Sequence, residues 1–198
     1  MFKRLKKELT IKLDEKEGHL FLGDKKIDIK LLMLRPTDIM EFSEFAGANA
    51  EDILIWVGKT LGKEIVEKYF YGKDWSVETI ALRKDVFLGV LEGLSLLGYG
   101  YLIGTFKKDH ILVSNYQPLA SDEKENIMAK NLCLVTQGVI AGILEVLNFD
   151  IEGEEIECVL LENERCLFKF ELLTEEIPDE LIDEEEKPEA ISDFLASL

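Results

Sequence analysis

Three pairs of glycines, Gly58/Gly62, Gly89/Gly93 and Gly138/Gly142, each lie four residues apart inside segments whose apolar residues recur at helical spacing. A glycine within a helix costs about 1 kcal/mol against alanine, so three such pairs require a reason. Spacing of four puts both members on one helix face, which then presents bare backbone. Two uses fit: close packing of helix on helix, within the domain or across a dimer, or room for an apolar ligand between helices and sheet. Each demands long helices packed against something.

The remaining pattern supplies the partners. Leu9 to Ile29 alternates well enough for two or three short strands, with turns at Glu17-Gly18 and Gly23-Asp24. Pro36 opens a helix that runs to about Phe45. A longer helix follows Asn49, with Ile53, Trp56, Val57, Leu61, Ile65, Val66 and Tyr69 at helical spacing, and a third spans about Val77 to Leu97. Gly98 to Phe106 and Ile111 to Tyr116 predict a hairpin. Ser121 is the expected cap of a fourth helix, Glu123 to about Leu147, and Glu155–Leu161 with Cys166–Leu173 predict a last hairpin turning near Asn163. Runs of one element type predict an α+β domain over residues 1–173, an antiparallel sheet with long helices packed on one side. An acidic tail, 174–198, ends in Ile191, Phe194, Leu195 and Leu198, the apolar stripe of a short amphipathic helix.

Charge and composition narrow the function classes. The chain has 198 residues, 47% of them hydrophobic, enough for a full core without disulfide staples. Its formal net charge of −17 argues against direct nucleic-acid or anionic-membrane binding, which needs a basic footprint. The basic Met1–Leu9 is followed by charged and polar residues, unlike an export signal. The longest uncharged runs, Gly93–Phe106 and Asn131–Leu144, fall short of the roughly 20 residues of a membrane span. Three cysteines, an odd number, favour a reducing, cytoplasmic setting.

Those cysteines are Cys133 on a helix pattern and Cys158 and Cys166 flanking the last hairpin, with Glu154, Glu155 and Glu157 beside the second. Thiolates plus a carboxylate can hold a tetrahedral zinc ion, with Glu155, Glu157 or water in the fourth place. On a regular strand Glu155 and Cys158 point to opposite faces, so coordination by both requires a bulge or a strand end. On the residues alone the leading reading is buried free thiols, since cysteine packs as a small hydrophobe, ahead of a metal site and then a redox disulfide.

From about Leu54 to Leu172 the chain resembles the 4-vinyl reductase domain family, often described as predicted hydrocarbon-binding proteins. The matching residues are Gly58-Lys-Thr-Leu-Gly62, Gly138-Val-Ile-Ala-Gly142, and the ending Glu155-Ile-Glu-Cys158 followed after seven residues by Cys166-Leu-Phe-Lys-Phe170. In aromatic-sensing transcriptional activators containing this domain, such an ending plus an upstream helical cysteine forms a zinc site. The resemblance therefore implies Cys133, Glu155, Cys158 and Cys166 as ligands of a structural zinc. It also implies the ligand-binding fold shared by haem nitric-oxide sensors and the Golgi-transport subunits of the TRAPP tethering particle, often dimerised through its helices. The ATPase and helix-turn-helix modules of those activators are not visible, nor is the Tyr-x-Ser-x-Arg motif of the haem sensors. His19 and His110 read as surface residues.

The function expected on these grounds is a homodimeric sensor or carrier of a small apolar or aromatic molecule. Its pocket would lie between the glycine-bearing helices and the sheet, with Trp56, Phe87, Leu91, Tyr99, Tyr101 and Phe106 as candidate lining. A non-catalytic adaptor using the tail is the alternative. A vinyl-group reductase is less expected, because neither a nucleotide-binding glycine loop nor a cluster motif is visible to supply reducing equivalents, and four protein ligands leave zinc no open position.

Overall fold

The computed structural model describes residues 11–23, 29–123 and 126–184. The basic N-terminus, Asp24 of the second expected turn and the apolar stripe Ile191, Phe194, Leu195 and Leu198 lie outside the described residues. Three short antiparallel strands come first: β1 (Ile11–Asp14), β2 (His19–Leu22) and β3 (Ile29–Leu31). Gly18, at φ +69°, makes the β1–β2 turn in a conformation that β-carbons resist. Helix α1 (Pro36–Ala46) begins at its proline. Its first turn is closed by Asp38, which accepts from the Arg35 backbone N–H at 2.8 Å.

The body is built from α2 (Ala50–Tyr69), α3 (Ile80–Leu96), β4 (Tyr101–Phe106), β5 (His110–Tyr116), α4 (Lys130–Val146), β6 (Ile151–Glu157) and β7 (Cys166–Leu172). The four strands form one antiparallel sheet in the order β4-β5-β7-β6. Helices pack on one side of it, α3 over β4 and α4 over β6 and β7. Phe87, Phe106, Phe149, Phe168 and Phe170 fill the interface with Leu91, Leu94, Ile111 and Ile140. The domain is α+β, as its sequence pattern predicts.

Two of the glycine pairs meet each other. A methyl placed on Gly58 would lie 2.9 Å from the Val139 backbone nitrogen and 3.0 Å from the Gly138 Cα. One on Gly62 would collide with the Val139 carbonyl oxygen. Reciprocally, Gly138 and Gly142 face the carbonyls of Ile55 and Lys59. The pairing rises in the same direction along both chains, so α2 and α4 run parallel, backbone on backbone. Lys59 and Lys63 of α2 add a clamp, reaching the two carboxylate oxygens of Glu145 on α4 at 2.6 and 2.7 Å. These two pairs thus serve helix packing within the domain. Gly89 and Gly93 are buried in α3.

Several boundaries shift from the sequence pattern. The fourth long helix starts at Lys130, not at Glu123 behind Ser121. Ser121 and Glu123 instead close successive turns onto the carbonyls of Pro118 and Ala120, and Asn126 caps a 3-10 turn over Ile127–Ala129. The third helix starts three residues later than Val77, because Thr79 accepts from Leu82 N–H at its start and Asp74 caps a separate turn, Trp75–Val77. Strand β6 begins at Ile151 and ends before Cys158.

After β7 the chain returns as a strap over α3 and the β4–β5 hairpin. Arg83, only 5% exposed, holds Glu175 through two bonds of 3.0 and 2.7 Å and lies over the Phe149 ring. Lys84 pairs with Asp183, whose backbone N–H donates to the Phe106 carbonyl at 2.9 Å. Ile177 between them is buried.

Candidate metal centre

Cys133 lies in the first turn of α4, facing the sheet, while Cys166 opens β7 and Cys158 follows the end of β6. The register places Glu155 opposite Phe168 and Glu157 opposite Leu167, so Ile156 is an extra residue in a bulge. That bulge lets Glu155 and Cys158 converge on one point, which a regular strand forbids. Glu157 points elsewhere, to Arg165 at 3.3 Å. Continuing the register past the pair Glu157 and Leu167 leaves Cys158 and Cys166 facing each other across the turn, their sulfurs 3.8 Å apart. Cys158 caps a 3-10 turn, Val159–Leu161, which is closed by Leu161 N–H onto the Cys158 carbonyl and by the Asn163 side-chain amide onto the same oxygen.

The three sulfurs form a nearly equilateral triangle: 3.9 Å from Cys133 to Cys158, 3.7 Å from Cys133 to Cys166 and 3.8 Å from Cys158 to Cys166. A carboxylate oxygen of Glu155 completes a group in which all four ligand atoms lie within 4.8 Å of one another. Zinc–sulfur bonds of about 2.3 Å in a tetrahedron put sulfurs about 3.8 Å apart, so the triangle fits a zinc ion without rearrangement. A disulfide needs about 2.05 Å, and all three cysteines are free.

The chemistry of the donors also fits a cation. Glu155 Oε1 is buried without a hydrogen-bond partner, a costly state for a carboxylate unless an ion satisfies it. Burial pushes the Glu155 carboxyl up to about 7. Hydrogen bonds from Cys133 and then Cys166 hold the Cys158 thiol low, with the Leu160 backbone amide assisting. The same contacts push Cys133 up, through Cys158 first and Cys166 next. Cys166 is lowered by Cys133, but Cys158 and burial push it up overall, while the Val159 amide donates to its sulfur. A dication held by this set would favour deprotonation of all its members. The two amides that orient the sulfurs are an outer shell that spacing alone does not reveal. Their signal in the sequence is only the run Val159-Leu160-Leu161, which continues the hydrophobic pattern of a strand.

The candidate pocket residues do not form one group. Phe87, Leu91 and Phe106 are fully buried where α3 crosses β4, with the Phe87 and Phe106 rings edge to face at 5.8 Å. Gly104 lets this crossing close, since a methyl there would press on Leu88, Leu91 and Phe87. Tyr99 is half-buried on the loop before β4, and burial pushes its hydroxyl up to about 12. Tyr101, half-buried at the start of β4, has its ring 6.4 Å from that of Tyr116. Trp56 is the correction: it is 66% exposed, on the face of α2 opposite Gly58, because Gly58 and not Trp56 meets α4.

No protein-family model matches the chain, and no curated protein matches it. Among solved structures it is similar to the phenol-responsive sensory domain of the transcription activator PoxR, in complex with phenol. That alignment has a TM-score of 0.59 and 16% identity over 86% of this chain and 88% of that one. The fold is that of sensory and H-NOX domains. An H-NOX protein from Shewanella oneidensis aligns with a TM-score of 0.50 and 10% identity over 78% of this chain and 82% of its own. A trafficking protein particle complex subunit 3 from Naegleria fowleri, covalently bound to palmitic acid, gives 0.46 and 15% identity over 72% and 99%. No helix among the described residues is long and apolar enough to cross a membrane.

Proposed function

We propose that this chain is a small-molecule sensor or carrier of the 4-vinyl reductase type, stabilised by a structural zinc on Cys133, Glu155, Cys158 and Cys166. The observation that carries the metal assignment is the sulfur triangle closed by a carboxylate with one buried oxygen that has no hydrogen-bond partner. Zinc there fastens α4 to the β6–β7 hairpin, three parts of the chain that hydrophobic contact alone holds less specifically. With all four positions taken by protein, the ion serves structure, and the domain binds without turnover.

Support for the ligand class comes from the likeness to the phenol-responsive domain. An apolar or monoaromatic molecule of phenol size is the proposed occupant. We further propose a homodimer in a cytoplasmic setting. Exposed Leu32, Met33, Leu34, Phe42, Phe45 and Val57 on α1, its approach and α2 supply apolar surface for a second copy. The acidic tail is then an appendage to a single binding domain.

Two measurements test this. Elemental analysis of untagged protein should give about one zinc per chain, and a Cys158→Ala, Cys166→Ala variant should give none. Thermal unfolding with phenol and small alkylphenols should show a concentration-dependent rise in midpoint. Metal-free wild type overturns the zinc assignment. Absence of any shift across such a series at millimolar concentration overturns the aromatic ligand.

A further inference from the structure

The metal cluster is not sealed on every side. A cleft of about 490 Å³ lies outside β6 and the start of α4, lined by Asn126, Lys130, Glu155, Ile156, Cys158 and Leu161 among others. Its volume falls within the roughly 300–1,000 Å³ of ordinary small-molecule sites. Two proposed zinc ligands, Cys158 and Glu155, form part of its wall; Cys133 and Cys166 do not. Exposure ranks the thiols the same way, at 5% for Cys158, 2% for Cys133 and 0% for Cys166. Ile156 and Leu161, both exposed, give the cleft an apolar lip, and Lys130 and Asn126 set polar groups on its other wall.

We propose that Cys158 is a modification site for soft electrophiles of the Michael-acceptor class, an enone or a quinone, which enter by this cleft and unfasten the metal centre. The inference rests on the zinc reading above. Three thiolates and one carboxylate around a dication leave a net formal charge of about −2, which keeps the sulfurs electron-rich. Of the three cysteines only Cys158 lines the cleft, so the ligand that secures the β6–β7 loop is the one nearest an entering reagent. In the reaction, the thiolate sulfur bonds to the β-carbon of the acceptor and the carbon–carbon π bond breaks. Water then supplies a proton to the α-carbon, and no oxidant is required. The resulting thioether is neutral and a far weaker zinc ligand than the thiolate it replaces. The apolar lip suits the body of the electrophile and the Lys130 ammonium suits its carbonyl oxygen.

The test uses N-ethylmaleimide on the whole chain, after its metal content has been measured. One equivalent should give a single adduct at Cys158, at least about tenfold faster than at Cys133 or Cys166, with zinc appearing on a colorimetric indicator in step with the adduct. Leu161→Trp, which narrows the lip without touching a ligand, should keep the zinc and slow the labelling by about tenfold. First labelling at Cys133 or Cys166, equal rates at all three, or an adduct at Cys158 with zinc retained would each overturn the proposal. Protein that carries no zinc at the outset instead overturns the metal reading beneath it.

Discussion

Replacing Gly62 by alanine tests the contact on which the whole helical layer rests. On an isolated helix the change would stabilise by about 1 kcal/mol, through helix propensity alone. Here the new methyl collides with the Val139 carbonyl oxygen and lies 3.0 Å from the Val139 carbonyl carbon and 3.1 Å from the Ile143 nitrogen. All three atoms are backbone, so no rotamer change relieves the clash; α2 and α4 must move apart by about 1 Å. A gap of 0.5–1 Å forfeits roughly a quarter to a half of the dispersion energy of each facing contact. Overpacking of this kind costs about 1–3 kcal/mol, and the backbone character of this clash places it at the upper end, leaving a net loss of about 2 kcal/mol after the propensity gain. Urea unfolding followed by far-ultraviolet circular dichroism should therefore show a midpoint lower by about 1 M at an unchanged slope. Thr60→Ala, on an exposed position two residues earlier in the same helix, should move the midpoint little. A Gly62→Ala protein as stable as wild type would refute the backbone-on-backbone packing of α2 and α4.

Other substitutions probe the metal centre, the strap and the buried phenol. Glu155→Gln should weaken zinc binding by at least about tenfold yet leave the metal-free protein as stable or more so, since it removes a carboxylate whose buried Oε1 has no hydrogen-bond partner; chelator competition and unfolding with and without EDTA would read the two signs. Glu175→Ala removes the only carboxylate that pairs with the buried Arg83 guanidinium among the described residues, leaving it the Leu147 and Asn148 carbonyls, and should cost about 3 kcal/mol, whereas the Arg83→Met, Glu175→Leu double variant should cost less in the same denaturation assay. Tyr99 has a folded pKa raised from 10.0 to about 12, so its neutral form contributes stability that is intact below pH 10 and lost as pH rises through 12. Tyr99→Phe should flatten that alkaline loss, and the phenolate absorbance of wild type should show one tyrosine titrating last.

The order of elements and the α+β class could be read from residue types and spacing. Helical and alternating periodicities are local signals, and a glycine pair at a spacing of four declares a bare helix face wherever it occurs. Cys133, Glu155, Cys158 and Cys166 were legible because a resemblance tied together parts of the chain distant in sequence. What lay across the bare faces was not legible: Gly58 and Gly62 could equally have met a ligand or a second copy, and only the parallel docking of α2 on α4 assigns them to Gly138 and Gly142. The bulge at Ile156 was equally hidden, since it depends on how β6 pairs with β7. It is what turns Glu155, and not Glu157, toward the cysteines. Trp56 belongs to the same class of error: helical spacing says that a helix has an apolar face, but which of two apolar faces is buried depends on the partner. Periodicity is a property of one segment, while contact is a property of two, and the second enters only when the chain has folded.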